Sequence, residues 1–298
     1  MKRRNIKNSA SDTTLNTVVT SIMVAFLIVI MYPLIYVLSS SFSSGAAVTT
    51  GKVLLWPVDF CLTGYEVVLA NKAVWKGYGN TLFYTILGTA FNVVLTTLAA
   101  YPLSRAKFRG KGLYMALFMI PMFFTGGMIP TYLLMSNLHL VNTRWALVVI
   151  GGISTYNMIV MRTFFQNSIP GELLEAAKID GISDIGYLFK IVLPLSKAII
   201  AVISLYYSVT HWNTYFNGLL YLRKRELYPL QMVLREILNA SKITATDIDD
   251  LEALAKIQEA ADVMKYALIV VSVVPMLILY PFIQKFFEKG VMVGSVKG

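Results

Sequence analysis

Aromatic and amide side chains occur in two apolar stretches of this chain, where polar groups are otherwise rare. The first stretch offers Tyr156 and Asn157, and the second offers Tyr207, His211, Trp212, Asn213, Tyr215 and Asn217. Flat rings can stack on the apolar face of a pyranose while amides hydrogen-bond its hydroxyls, so such residues could line a sugar pathway. They could also hold helices together or lie in the aromatic belt at a membrane surface, and both interpretations stay open.

The sequence offers no comparable candidate for catalysis or metal binding. The nearest approach to a phosphate-binding loop is 45–52, but its glycines are one residue too far apart and Val53 stands where Ser or Thr would bind magnesium. The single cysteine, Cys61, excludes an intrachain disulfide, and two histidines are too few for a zinc site. We therefore expect a chain that is not an enzyme and that holds no metal or cofactor of its own.

Composition indicates the elements that position these residues. With 56% hydrophobic and 14% charged residues, the chain exceeds the roughly 45–50% apolar content of soluble domains, which predicts an all-α integral membrane protein. Because about 20 apolar residues cross the hydrocarbon core, the charge-free runs predict six transmembrane helices, at about 17–40, 78–103, 112–135, 145–165, 196–222 and 264–287. Prolines inside these runs predict kinks and not breaks. The first run could also be a signal peptide, but its length favours an anchor.

The basic residues predict the orientation of the spans. Fifteen of the 26 Lys and Arg residues fall on one side if the six spans alternate, and that side is expected to be the cytoplasm. The chain then has a cytoplasmic segment at 1–14, one transmembrane domain at 15–290 and a cytoplasmic tail at 291–298. The loop 168–194 faces the cytoplasm and the loop 223–263 faces outward. The net charge of +10 thus indicates contact with anionic membrane lipid and no nucleic acid.

The outer loop contains two stretches with amphipathic helical spacing, 227–238 and 247–262. They could form a solvated cap over the membrane domain or a dock for an external partner, and we favour the dock.

The loop 168–194 predicts a helix, a turn and a second helix. Pro170 fits a first helical turn, and the carboxylates of Glu172 and Glu175 favour the positive end of the helix dipole. Gly181 supplies the left-handed residue that commonly ends a helix. A second short helix opens at 183–184 and extends to residue 190, and the chain turns into the next apolar run at Pro194. By itself this pattern could be an ordered connector.

The spacing within this loop resembles a known family. Glu175-Ala176-Ala177, then Gly181 and then Ile191-Val192-Leu193-Pro194 resemble the EAA loop of the membrane subunits of bacterial ATP-binding-cassette importers, which have the MetI-like type I fold. Over about 15–298, further motifs resemble the carbohydrate-uptake branch of these permeases. They are Asn80-Thr81, Ala100-Tyr101, Ser104-Arg105, Trp212-Asn213, Tyr280-Pro281-Phe282, Lys289-Gly290 and Lys297-Gly298.

The resemblance implies partners and roles. It implies a bacterial plasma membrane protein with both termini in the cytoplasm, a second homologous permease, two ATPase subunits that bind ATP and Mg, and an extracellular solute-binding protein that delivers an oligosaccharide. The residues that would couple to an ATPase subunit are Glu172, Glu175, Ala176, Ala177, Asp180, Gly181, Ile191, Leu193 and Pro194.

Two alternatives remain at this point. The same architecture could import an amino acid, a peptide or a polyamine. A non-transport membrane scaffold or integral enzyme is the alternative from another class.

Overall fold

A computed structural model describes residues 10–244, 261, 263–278 and 281. Over these residues the chain is helical, with short turns and no strand. Contacts divide the described residues into two compact units, one within 1–71 and 237–272 and the other within 72–236 and 273–298. The all-α prediction is therefore confirmed for the described part of the chain.

The first unit contains the first predicted span. Its helices are α1 (Ala10–Ser41), α2 (Gly45–Thr49) and α3 (Thr63–Ala70). The stretch Ser11–Ser41 is long and apolar enough to cross a membrane, and it contains the predicted span 17–40. The helix Val263–Ile278, of which 263–272 belong to this unit, covers 264–278 of the predicted span 264–287. A Cβ at Gly64 would come within 2.8 Å of the Val263 side chain, so α3 and this helix pack closely.

The second unit is built around α4 (Lys72–Ser104), which contains the predicted span 78–103 as one continuous helix. The predicted span 112–135 is instead two helices, α5 (Lys111–Phe123) and α6 (Met128–Asn137), bent by 117°. Gly127 has φ +85°, a conformation that glycine adopts without the steric cost of a side chain. The break therefore occurs at glycine, while Pro121 and Pro130 lie inside helices.

The predicted span 145–165 is also interrupted. Its two pieces are α7 (Trp145–Val149) and α8 (Thr155–Ser168). The backbone between them includes Gly151, with φ +69°, and Ser154 caps the N-terminus of α8. A continuous helix was the wrong prediction here because the left-handed glycine leaves the helical ladder.

The predicted helix, turn, helix follows α8. The first helix is α9 (Gly171–Ile179), with Asp180 at its C-terminus and Gly181 at φ +72°, as the glycine predicted. The second helix was predicted to end at residue 190. It instead extends from α10 (Asp184–Tyr187) through a π-helical turn (Leu188–Val192) into α11 (Leu193–Leu195). Pro194 has no N–H to donate to the helical ladder. The change to i→i+5 bonding in the π-helical turn just before it lets the helix continue through this residue.

The predicted span 196–222 is likewise two helices. They are α12 (Lys197–Trp212) and α13 (Tyr215–Tyr221). A 3₁₀ turn (Arg225–Leu227) and α14 (Leu230–Thr244) follow. Leu230, Val233 and Leu234 are buried, which confirms the apolar face predicted for 227–238, although the helix begins three residues later. The second predicted stretch, 247–262, lies outside the described residues.

The described part of the chain has two helices long and apolar enough to span a membrane, or up to four if each bent pair is one span. The second pair is Asp184–Leu195 with Lys197–Trp212, which meet at 82°. The predicted count of six is not confirmed. The main hydrophobic core of the second unit lies where α4, α8 and α12 meet, around Met158, Phe165 and Ile203.

Candidate functional site

The interruptions in two of the predicted spans border the same cavity. It has a volume of about 510 Å³ and lies within the second unit. Its lining residues are Asn92, Leu147, Ile150, Gly151, Ser154, Tyr156, Asn157, Tyr206, Tyr207, Thr210, His211, Thr214 and Asn217. Ligand pockets commonly fall in this size range. Irregular backbone at membrane depth is tolerated where it lines a cavity, which is the arrangement found here.

Five of the eight residues predicted to line a sugar pathway border this cavity. They are Tyr156, Asn157, Tyr207, His211 and Asn217. The other three do not border it. Trp212 is buried with its ring centroid 6.3 Å from that of Tyr78, the Asn213 amide donates to the Val209 carbonyl, and the Tyr215 ring lies 5.0 Å from the Arg235 guanidinium.

Five polar lining residues were not among the predicted site residues. They are Asn92, Ser154, Tyr206, Thr210 and Thr214. Asn92 carried a usable signal, because it is an amide inside a charge-free run of about membrane length. The Ser154 signal was the N-cap preference of serine after a pair of glycines. No comparable signal marks the two threonines.

Asn92 hydrogen-bonds the backbone carbonyls of the non-helical segment between α7 and α8. Its amide nitrogen donates to the carbonyls of Gly151, at 2.9 Å, and Gly152, at 2.8 Å. Its carbonyl oxygen therefore faces Nε2 of His211, at 2.6 Å. Since that oxygen can only accept, Nε2 carries the proton in this arrangement. One α4 side chain thus bridges the break and the α12 imidazole.

Tyr207 supports the same break from α12. Its hydroxyl accepts a hydrogen bond from the Ser154 backbone N–H, at 2.9 Å, and lies 2.7 Å from Oγ1 of Thr96. The Ser154 hydroxyl in turn accepts from the Asn157 N–H, at 3.4 Å. The Tyr207 hydroxyl is therefore engaged in structure, and its ring is what remains to face the cavity.

Gly88 leaves the space that the imidazole of His211 fills. A Cβ built at this position of α4 would overlap the His211 ring, including Nε2 and Cε1. At Gly79, on the same helix, a Cβ would meet nothing within 4 Å. The close approach of α4 and α12 therefore depends on the missing side chain at Gly88.

The segment 168–194, which we call the coupling segment, combines a buried side and an exposed side. Ala177 is buried in the main core, together with Phe165 and Tyr187. The remaining residues predicted to couple are exposed or half-buried: Glu172, Glu175, Ala176, Asp180, Gly181, Ile191, Leu193 and Pro194. Among their neighbours, Ile179 is 87% exposed and Ile185 is 71% exposed. Both side chains are apolar, so the exposed side of the segment is not purely polar.

The coupling segment is tied to the end of α4. The Tyr101 hydroxyl donates to the Asp184 carbonyl, at 2.9 Å. The Arg105 guanidinium carbon lies 4.7 Å from the ring centroid of Tyr101 and 5.2 Å from that of Tyr187, which are cation–π distances. The contacts of Tyr101 and Arg105 therefore fix the segment to the end of α4. Separately, Arg162 of α8 donates to the Leu103 carbonyl of α4, at 3.0 Å, and joins those two helices.

The other end of α4 holds the chain between α13 and α14. The Asn80 amide donates to the carbonyls of Glu226, at 2.8 Å, and Tyr228, at 3.0 Å. The Thr81 hydroxyl accepts from the Leu230 N–H, at 2.8 Å. The Asn80-Thr81 motif therefore has a structural role, since it fixes the start of α14.

Comparisons with known proteins agree with this architecture. The model of the family described as binding-protein-dependent transport system inner membrane component matches residues 92–293. The polygalacturonan/rhamnogalacturonan transport system permease protein YtcP of Bacillus subtilis is 41% identical over 276 residues, which cover 93% of this chain and 96% of that protein. Protein LplC of the same organism is 40% identical over 266 residues, 89% of each chain.

A solved structure is similar over nearly the whole chain. It is the crystal structure of a bacterial ABC transporter involved in the import of the acidic polysaccharide alginate, with a TM-score of 0.84 and 34% identity. The match covers 95% of this chain and all of that one. The chain therefore belongs to the binding-protein-dependent transport system inner membrane component family, the permease subunits of ABC importers.

Proposed function

We propose that this chain is one of two permease subunits of an ATP-driven importer of an oligosaccharide. The observation that carries this proposal is the cavity between the interrupted helices, which is lined by the amide residues Asn157 and Asn217 and by the aromatic residues Tyr156 and Tyr206. Rings can stack on the apolar face of a sugar while amides bond its hydroxyls.

The named relatives support a sugar over an amino acid, a peptide or a polyamine. Besides YtcP, an arabinooligosaccharide permease of Halalkalibacterium halodurans is 27% identical to this chain over 280 residues. A polyamine, by contrast, would need carboxylates to balance its charge, and none of the lining residues is Asp or Glu.

The coupling segment is the proposed contact for a separate ATPase subunit. Glu175 and Asp180 supply exposed carboxylates for a basic partner, and the exposed Ile179 supplies an apolar anchor. Tyr101 bonds the Asp184 carbonyl, and Arg105 packs on the Tyr101 ring, so the segment is held to the end of α4. A displacement of the segment by the ATPase subunit would therefore move α4 with it. ATP and Mg would bind to the two ATPase subunits.

The proposal also assigns the two sides of the membrane. The coupling segment, the termini and most of the basic residues lie in the cytoplasm, and the loop 223–263 lies outside. The start of that loop is fixed by Asn80 and Thr81, which suits a docking surface for a solute-binding protein.

The test is uptake by proteoliposomes that contain this chain, its partner permease, both ATPase subunits and the binding protein. We expect uptake of a labelled oligosaccharide that requires both ATP and the binding protein. A labelled amino acid, peptide and polyamine serve as competing substrates. Uptake of one of these with no sugar uptake would overturn the proposed substrate, and a purified chain that assembles with no ATPase subunit would indicate a scaffold or an enzyme.

A further inference from the structure

The first turn of α8 forms one wall of the cavity. Ser154, Tyr156 and Asn157 all line it, and the helix they begin is 14 residues long. The N-terminal amides of a helix have no partner within the helix and carry partial positive charge. The Ser154 hydroxyl accepts a hydrogen bond from the Asn157 N–H, at 3.4 Å. Over the described residues, the Tyr156 N–H has no acceptor.

The Asn157 side chain is a second, independent feature of this wall. The residue is only 6% exposed, and its side chain borders the cavity. Its carboxamide makes no hydrogen bond to any described residue. Buried amides are nearly always bonded, so one that borders a cavity and has no protein partner is suited to receive a ligand. Its NH₂ group can offer two donors beside the helix terminus.

The rest of the lining is compatible with a negative charge. None of the lining residues is Asp or Glu, so no fixed negative charge repels an anion. Thr214 and Tyr206 add hydroxyls that can donate, whereas the Thr210 hydroxyl already donates to the Tyr206 carbonyl, at 2.9 Å. The oxygen of Asn92, which could only accept, is turned away to Nε2 of His211, at 2.6 Å. The cavity therefore offers several donors and no fixed negative charge.

We propose that the first turn of α8, with the Asn157 carboxamide, is a carboxylate subsite, and that the oligosaccharide this cavity takes carries uronic acid groups. Helix N-termini at breaks inside membrane proteins suit anionic substrate groups for the same reason. A neutral sugar would leave the positive end of α8 without a counter-charge. The inference rests on the proposed sugar transport and adds the acidic class and the residues that recognise it.

The test measures sugar binding to the assembled complex of permease and ATPase subunits in detergent, without the binding protein, so that the binding protein's own selectivity plays no part. The probes are a galacturonate trisaccharide and its carboxyl-reduced, neutral counterpart, titrated by calorimetry. We expect the acidic probe to bind more tightly by at least about tenfold, the difference expected of one charge-assisted contact.

Two variants locate the subsite. Asn157→Asp keeps the size of the side chain but replaces its donors with a negative charge, and we expect it to weaken binding of the acidic probe by about tenfold more than binding of the neutral probe. Asn217→Asp makes the same change on α13 in the same cavity, and we expect a clearly smaller effect on the acidic probe.

Each result is decisive. Equal binding of both probes by the unchanged complex would overturn the carboxylate subsite and leave sugar transport standing. Equal losses from Asn157→Asp and Asn217→Asp would show that the anion does not bind at α8. Failure of both probes to bind, with uptake of an amino acid by the same complex, would overturn the proposed function together with this inference.

Discussion

Nε2 of His211 lies 2.6 Å from the side-chain oxygen of Asn92, whose amide nitrogen bonds the carbonyls of Gly151 and Gly152. Three helical elements thus meet at one side chain. A helix interrupted at membrane depth must have its freed carbonyls satisfied by its neighbours. Asn92 meets that requirement and at the same time holds the wall of the cavity in place.

Replacing Asn92 with alanine should destabilise the chain. The change leaves two backbone carbonyls and the His211 N–H without partners, and each buried unpaired group costs about 1–3 kcal/mol. Since a few of these groups will find water or other partners, we expect a loss of about 2–4 kcal/mol in the free energy of unfolding. Unfolding in mixed micelles by increasing dodecyl sulfate measures it.

The matched control for this change is Asn213→Ala. Asn213 is exposed, and its amide bonds only the Val209 carbonyl, so we expect a change below about 1 kcal/mol. Equal losses in the two variants would contradict the role assigned to Asn92.

A methyl group at Gly88 should disrupt the same network by crowding. The added Cβ of Gly88→Ala would overlap the imidazole, so either His211 or α12 must move. We expect a loss of about 1–3 kcal/mol, the usual cost of overpacking. The control Gly79→Ala lies on the same helix with open space around its Cβ, and it should be neutral or slightly stabilising. Thermal unfolding compares the two variants. An unfolding temperature lower for Gly79→Ala than for Gly88→Ala would contradict the packing described.

Substitutions at Gly181 distinguish a requirement for its backbone conformation from a requirement for space around its side chain. Its φ is +72°, and a Cβ there would meet nothing within 4 Å, so only the backbone conformation favours glycine. Gly181→Ala should therefore cost about 1 kcal/mol and lower ATP-driven uptake, because the turn after α9 shifts. Gly181→Asn should retain more uptake than Gly181→Ala, since asparagine tolerates the left-handed region.

Gly171→Ala is the control for this pair, because Gly171 has a negative φ and equally open space. We expect its uptake to match that of the unchanged chain. If asparagine and alanine at position 181 gave the same low uptake, a contact with the partner and not the backbone would be the reason for the glycine.

The exposed apolar residue of the coupling segment should matter only in the assembled complex. Ile179 is 87% exposed, so Ile179→Ser should leave the stability of the isolated chain unchanged. Burial of an isoleucine at an interface contributes about 1.5–3 kcal/mol, so the affinity for the ATPase subunit should fall by about tenfold to a hundredfold. Co-purification with the tagged ATPase subunit measures it. Ile129→Ser, at a residue 68% exposed on α6, should leave the amount recovered unchanged.

Local signals made the coupling segment predictable. Pro170 and Gly181 bracket α9, which begins and ends within one residue of the predicted bounds. Ser183, which caps α10, the acidic first turn of α9 and the left-handed Gly181 all act within a few residues of the helix they delimit. The predicted end of the second helix was wrong because a proline can be carried within a helix by a π-helical turn.

The interruptions in the spans were not predictable in the same way. Prolines were predicted to cause kinks and not breaks, and Pro33 and Pro102 each lie inside a continuous helix. The breaks occur at Gly127, Gly151 and the Asn213–Thr214 junction. A transmembrane helix can be interrupted only where residues from elsewhere in the sequence hydrogen-bond the carbonyls that the interruption frees. Asn92 is 59 residues from Gly151, a separation that hydropathy along the chain does not report.

The same limit applies to the candidate site. Tyr156, Asn157, Tyr207, His211 and Asn217 were chosen by residue type, and they line the cavity. Trp212, Asn213 and Tyr215 were chosen by the same reasoning and lie elsewhere. Residue type indicates what a side chain can bind, but the junction between α12 and α13 decides which of them face the cavity.

The most direct test of the central claim, that the cavity between the interrupted helices is the sugar path, is protection of an introduced cysteine. With Cys61, the one cysteine, replaced by serine, Thr210→Cys places a thiol on the cavity wall and Val209→Cys places one on the neighbouring exposed residue outside it. The labelling rate with a charged thiol reagent is measured in the assembled complex with and without saturating oligosaccharide. We predict that the sugar slows labelling at position 210 and leaves position 209 unchanged. Equal labelling at 210 with and without a transported sugar would contradict the claim.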